Sequence, residues 1–229
     1  MKRSDVNEIM READKFIRSF GYILPPFANW SPSEFKLRKN EARAIIDHNL
    51  GWDITDYGLG EFDKTGLFLF TVRNGNSADL SKGRGMLYAE KAMISRQDQY
   101  SPMHRHNLKA EDIINRGGGT LVIELFGDTS GSIDRSKGTA VYTDGIRREL
   151  PPGALLKLQP GESVTLMPRE HWHAFWGEGG DVFVGEVSTV NDDNTDNIFE
   201  DARISRFSGI EEDEDPWRLL VSDYGKWVA

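Results

Sequence analysis

The spacing of apolar and polar positions divides the chain into three textures. Residues 4–20 place Val6, Ile9, Met10, Ala13, Phe16, Ile17 and Phe20 at three- and four-residue intervals, which predicts an amphipathic helix stopped by Gly21. Ser31-Pro32-Ser33-Glu34 predicts a second helix start: a capping serine, a proline at the first helical position and a glutamate reaching back. Trp30 and Phe35 are placed there as a hydrophobic staple. The pattern carries this helix to about His48, with its end near Gly51. Both helices present an apolar face that must pack on something.

From residue 52 the texture changes to short runs punctuated by glycine. Strands are predicted at Leu67 to Arg73, Gly85 to Ile94, Met103 to Leu108, Thr120 to Phe126, Ala140 to Thr143 and Ala154 to Leu158. Ser163 to Met167, His173 to Trp176 and Val182 to Val187 complete the set. Asp144-Gly145 is a hairpin signal, and Pro151-Pro152-Gly153 and Gln159-Pro160-Gly161 mark turns. Glu111 to Asn115 reads as a helical turn leading into Gly117-Gly118-Gly119, where the chain can bend freely. Many short strands at near-regular spacing predict a mostly β sandwich or barrel. After residue 188 the polar run Asn191 to Asn197 and the acidic run Glu211 to Asp215 read as solvated loops. Trp217, Leu219, Leu220, Tyr224 and Trp227 are too apolar for a free tail and are expected to dock. The organisation expected is an N-terminal helical extension over 1–60, a β-barrel over 61–190, and a 191–229 segment packed on the barrel, the helices or a dimer partner.

Composition narrows the function classes. A net charge of -9 over 229 residues, with no basic stripe, argues against nucleic acid and against anionic membrane surfaces. No apolar run approaches the ~20 residues that span a bilayer. Met1-Lys2-Arg3 is followed by Ser4-Asp5 rather than an apolar segment, so no signal peptide is expected. The glycosylation sequon Asn29-Trp30-Ser31 is then idle, and a cytoplasmic protein is expected. The absence of cysteine excludes disulfides and thiolate metal sites.

The candidate chemistry lies in the histidines, of which there are five, at 48, 104, 106, 171 and 173. Four of them form two H-x-H pairs inside strand-like runs. Strand alternation points His104 and His106 the same way; a turn brings Glu111 round, and a second strand supplies His173. Three imidazoles and a carboxylate converging on one point bind a divalent transition metal and leave positions open for substrate. His171, two residues from His173, can face the same way and remains an alternative ligand. His48, near a helix C-terminus, is read as a surface residue favoured by the helix dipole.

These residues also carry a resemblance. His104-x-His106, Glu111 and Gly118 resemble the first cupin motif, and Gly161, Pro168 and His173 the second. Glu170 stands where that family usually has glycine, and Gly161 to Pro168 is one residue longer than its usual form. The proline-to-histidine spacing of the motif favours His173 over His171. Glu90-Lys91, Pro102-Met103-His104, Glu111 to Gly119, Pro168 to Trp176 and Glu186 to Asp193 resemble the D-lyxose isomerases of the cupin superfamily. The resemblance implies a cupin (double-stranded β-helix, or jelly-roll) barrel. It also implies a manganese-dependent homodimer that converts D-lyxose to D-xylulose and D-mannose to D-fructose.

Such a reaction moves a proton between C1 and C2, so it needs a base beside an electrophile that stabilises an enediolate. Glu186 is the first choice of base: it interrupts the apolar run 182–187, and burial there would raise its pKa. Lys91 is placed to donate to a substrate oxygen or to shield negative charge. Asp193 and Arg203 are candidates for sugar hydroxyls. Trp172, Phe175 and Trp176 flank the ligand strand, where Trp176 could form a platform beneath the sugar. Three other readings share the ligand set: an iron cupin dioxygenase, a non-catalytic sugar-binding cupin, and a phosphosugar isomerase. The last requires a cationic pocket, for which Arg147-Arg148 is the compact basic pair of the barrel region.

Overall fold

The apolar stripe read at the N-terminus is a helix, α1, Arg3–Ser19. In the structure, a computed structural model describing residues 1–193, 195–205 and 209–228, two short helices follow, α2 at Pro32–Leu37 and α3 at Arg43–Asp47. Asn194 of the polar run, and residues 206–208 and Ala229 of the C-terminal segment, lie outside the described residues. The remaining elements are β1 (Gly51–Thr55), β2 (Leu67–Arg73), α4 (Ser77–Leu80), β3 (Tyr88–Ser95), β4 (Ser101–His106), β5 (Glu111–Thr129) and β6 (Ser132–Asp134). Then come β7 (Thr139–Thr143), β8 (Ile146–Leu150), β9 (Ala154–Leu158), β10 (Ser163–Leu166), β11 (His171–Thr189), β12 (Asn197–Phe199) and α5 (Tyr224–Trp227).

Two long strands, β5 and β11, organise the barrel. The second half of β11 pairs with β3 and with the first half of β5, continuing outward through β2 to β1 and through β10 and β7 to β8. The first half of β11 pairs with β4 and with the second half of β5; β12 extends beyond β4, and β9 beyond β5. The two strands therefore cross together from one sheet to the other, which is the double-stranded β-helix expected of a cupin. The crossing falls at a register shift between Glu178 and Val182. There Gly118 takes φ +97°, and a Cβ would lie 2.1 Å from the Asp181 carbonyl oxygen, so only glycine fits.

Burial explains why each strand reads as it does. Leu67 and Leu69 of β2 face the barrel interior with Met93, Ile113, Ile123, Leu125, Phe175 and Val184. Phe68, Phe70 and Val72 face outward, where α1 covers them with Val6, Ile9, Met10, Ala13 and Ile17. A strand covered on both faces loses its polar alternation, hence the unbroken apolar run in β2. Each such buried aliphatic or aromatic side chain contributes about 1.5–3 kcal/mol. The C-terminal segment docks on the helices: Leu219, Tyr224 and Val228 pack with Phe35 and Ala42. Arg3, fully buried, pairs with Glu212 at 2.8 Å and Asp223 at 2.8 Å.

Three expectations are corrected. The second helix does not run to His48; it breaks between Leu37 and Arg43. Arg38, Lys39, Asn40 and Glu41 offer no apolar side chain to hold a turn against the body, and Leu37 is 87% exposed. The segment 111–115 is strand rather than a helical turn, because Glu111, Ile113 and Asn115 are buried while Asp112 and Ile114 are not. The runs at 173–176 and 182–187 are one strand, β11. Beyond the barrel core, β1 adds a strand from within residues 1–60, and β12 adds one from within 191–229. Among the described residues, no helix is long and apolar enough to cross a membrane.

Candidate active site

The interior holds a cavity of about 90 Å³. One side is apolar, with Leu67, Leu69, Met93, Ile113, Phe175 and Phe199; the other carries the chemistry.

Strand β4 brings His104 and His106 inward, and β11, paired to it at His173↔His104, adds the third ring. One nitrogen from each of the three imidazoles falls within 4.8 Å of the others. His104 Nδ1 donates to the Pro102 carbonyl at 2.8 Å, because a carbonyl can only accept, and this leaves the Nε2 lone pair free. His173 Nδ1 lies 3.5 Å from the His171 carbonyl, and its Nε2 is buried with no hydrogen-bond partner among the described residues. Burial pushes His173 down to about 3 and His104 well below the usual imidazole value, so both are neutral at pH 7. Glu111 Oε1 lies 3.0 Å from His106 Nε2 and 3.4 Å from His173 Nε2. Burial opposes ionisation of Glu111, but His106 and Lys109 outweigh it and hold the carboxyl well below its usual range. His104 and His173, neutral with inward Nε2 lone pairs, together with His106 and the ionised Glu111 carboxylate beside them, form a donor set that fits a divalent cation.

The alternative histidine is committed elsewhere. His171 Nδ1 accepts the Met167 N–H at 2.7 Å and Nε2 donates to the Ala140 carbonyl at 3.0 Å, so both ring nitrogens serve the backbone.

Beside the imidazoles lies a run of buried charges. Lys109 Nζ is 2.7 Å from Glu111 Oε2 and 3.0 Å from Glu186 Oε1. Lys91 Nζ is 3.6 Å from Glu186 Oε2 and 3.2 Å from Asp193 Oδ1, and donates to Asn191 Oδ1 at 2.9 Å. Ser188 Oγ donates to Glu186 Oε1 at 3.1 Å. Glu186 thus faces the cavity between two ammonium groups rather than in an apolar setting.

The other sequence candidates divide. Asp193 lines the cavity. Trp176 and Arg203 do not reach it, because strand alternation turns Phe175 inward and Trp176 outward, against Tyr100 with ring centroids 6.1 Å apart. Arg203 is exposed and folds back onto Asp201 at 2.7 Å. Trp172 is on the outer face with Met103 and Phe126. Arg147 and Arg148 sit on exposed β8, with Arg147 paired to Glu149, and neither lines the cavity.

Several lining residues went unread in the sequence. Lys109 was legible, since it lies two positions before Glu111. Asp53, Thr55 and Tyr57 come from β1 and the turn after it, where no pattern pointed inward; Tyr57 Oη and Ser101 Oγ are 2.7 Å apart.

A profile of the D-lyxose isomerase family matches residues 1–224. The chain is 46% identical to a D-lyxose/D-mannose isomerase of Serratia proteamaculans, covering 100% of both chains. It is 42% identical to one of Escherichia coli O157:H7, covering 98% of each. Among solved structures, the fold is similar to L-ribose isomerase of Acinetobacter sp. DL28 in complex with L-ribose, with TM-score 0.60 and 15% identity over 92% of this chain and 98% of that one. It is also similar to L-ribose isomerase of Geodermatophilus obscurus, with TM-score 0.57 and 18% identity over 92% and 98%.

Proposed function

The chain belongs to the D-lyxose isomerase family, and from that premise we propose that it interconverts D-lyxose with D-xylulose and D-mannose with D-fructose by moving a proton between C1 and C2. The observation that carries the mechanism is the placement of Glu186: a buried carboxylate on the cavity wall, within 3.6 Å of Lys91 and 3.0 Å of Lys109, beside the three-imidazole cluster.

His104, His106, His173 and Glu111 would hold the cation, with manganese the metal the family resemblance implies. A divalent cation there would supply Lewis-acid polarisation of the sugar's carbonyl and adjacent hydroxyl. Glu186 takes the proton from C2 and returns it to C1, acting as base and then as acid, while the hydroxyl proton of O2 passes to O1 as the carbonyl changes place. Lys91 and Lys109 hold the Glu186 carboxylate in place and offset the negative charge that grows on the two sugar oxygens during the transfer. Asp193 fixes Lys91 from behind and is within reach of a sugar hydroxyl on the cavity side. Phe175, Leu69 and Met93 exclude water from the carbon being deprotonated.

An unphosphorylated sugar is favoured, because the cations lining the cavity among the described residues, Lys91 and Lys109, are already paired with carboxylates. The homodimer rests on the family resemblance, and the cytoplasmic placement on a composition without cysteine.

The test is a panel of unphosphorylated and phosphorylated aldoses, assayed for ketose formation with chelator-stripped and manganese-restored protein. Ketose from D-lyxose and D-mannose, lost on stripping and regained with manganese, is expected. Full activity with all bound metal removed would sink the metal's role, and turnover of phosphorylated aldoses alone would sink the substrate assignment.

A further inference from the structure

The segment that follows the barrel sends one buried carboxylate toward the metal site from behind. Asp196 Oδ1 accepts the N–H groups of Asn107 at 3.1 Å and Leu108 at 2.7 Å, and Oδ2 accepts that of Lys109 at 3.0 Å. The Asp196 carbonyl also accepts the Asn107 N–H at 3.1 Å. One side chain thereby ties down three successive amides of the loop joining His106 to Glu111. The same Oδ2 lies 3.8 Å from His106 Nδ1, which is buried and has no hydrogen-bond partner among the described residues. Immediately afterwards, β12 pairs Asn197 with His106 and Phe199 with His104.

An imidazole that ligates through Nε2 keeps its proton on Nδ1. An acceptor there fixes the tautomer and the ring rotation and makes the ring a better donor to the cation. His104 and His173 face neutral backbone carbonyls at Nδ1, whereas His106 faces a carboxylate. The loop that Asp196 holds also sets the positions of Lys109 and Glu111.

We propose that Asp196 is a positioning residue of the metal centre: its carboxylate, 3.8 Å from His106 Nδ1 and so acting by charge rather than by a hydrogen bond, favours the Nδ1–H tautomer, and it locks the 107–109 amides so that Glu111 and Lys109 meet the cavity in register. This rests on reading His104, His106, Glu111 and His173 as the metal site. Asp196 does not line the cavity, and its effect is carried by the residues it holds.

The experiment titrates manganese(II) into metal-stripped wild type, Asp196→Asn and His173→Ala, following free manganese by electron paramagnetic resonance. The visible spectrum of each cobalt(II)-loaded protein is recorded alongside. Asp196→Asn, folded by circular dichroism, is expected to bind manganese about 10–100-fold more weakly and to shift the cobalt bands. Wild-type affinity with an unchanged cobalt spectrum overturns the proposal. A wild type that takes up no more manganese than His173→Ala overturns instead the metal-site reading beneath it. If Asp196→Asn does not fold, nitrogen-15 spectra of the zinc-loaded wild type decide the matter. An exchange-protected His106 Nδ1–H supports the proposal, and zinc on His106 Nδ1 overturns it.

Discussion

Lys109 stands between Glu111 and Glu186, with Nζ 2.7 Å from one carboxylate and 3.0 Å from the other. The acid placed to hold a cation and the acid placed to move a proton therefore share one ammonium group. Burial works against the charge on Lys109, but Glu111, Glu186 and Asp193 outweigh it and raise its pKa, so the group stays protonated. Lys109→Met would leave two buried carboxylates facing each other with their common partner gone. Breaking a buried ion pair from one side costs about 3–5 kcal/mol, or on the order of 10 °C in Tm for a chain of this size. Lys64→Met is the control: its pair with Glu61 is 2.9 Å long but exposed, and such pairs contribute roughly 0–1 kcal/mol. Thermal unfolding of the metal-free proteins at pH 7 compares the two, and equal melting would show that Lys109 is not the bridge described.

Glu186→Gln separates base from scaffold. The glutamine keeps an oxygen that accepts from Ser188 Oγ and Lys109 Nζ, so the cavity and its bound metal should survive. What it loses is the capacity to take a proton. We expect kcat to fall by about 10²–10⁴, the usual contribution of a positioned general base. Exchange of the sugar's C2 hydrogen with solvent deuterium should stop, while manganese content stays at the wild-type level. Turnover within about threefold of wild type, on the scale of that expected loss, would remove Glu186 from the reaction.

How much of this was legible follows from which periodicities the sequence repeats. The helix α1 announces itself because one face is buried and the pattern survives, whereas the strands around His104 and His173, buried on both faces, are marked by their H-x-H pairs. The break at 38–42 leaves only a lapse of apolar residues, which an N-terminal capping signal as strong as Ser31–Glu34 obscures. Glu111 to Asn115 was misread because Ile113 and Ile114 are adjacent, although only the first is buried. The histidine cluster needs local spacing plus one long-range pairing, which the second motif supplies. Asp196 and Asp53 reach the site through tertiary placement, and polar loops carry no period from which that could be read.

Phe175 and Trp176 show what the two-residue period decides once one residue is placed. With His173 inward on β11, Phe175 must follow it and Trp176 must turn away. Phe175→Ala is therefore expected to raise KM for D-lyxose and lower kcat, since it opens the apolar wall to water. Trp176→Phe should leave kcat/KM within about twofold, in keeping with a surface change that alters stability by ±0.5 kcal/mol. Steady-state kinetics on both variants are sufficient. A large KM effect from Trp176→Phe with none from Phe175→Ala would mean the register of β11 is off by one residue.

The clasp between the chain ends gives a pH dependence whose sign is fixed. Glu212 accepts from Arg3 Nε at 2.8 Å, and this hydrogen bond, aided by Lys226, lowers its carboxyl from the usual 4.5 to about 2. The folded protein therefore releases this proton more readily than the unfolded chain. The stabilisation is complete above the unfolded value of 4.5, and it is withdrawn as the pH falls through the window from 4.5 to about 2. Glu212 is 30% exposed at its side chain, so solvent screening reduces the effect, but the slope keeps its sign. In Glu212→Gln that proton linkage is absent, and the variant should lose less stability than wild type between pH 5 and pH 2 while being less stable at pH 7. Denaturant titrations of both proteins across that range give the comparison. Parallel stability–pH curves would show that the Arg3–Glu212 pair contributes nothing to holding the C-terminal segment to α1.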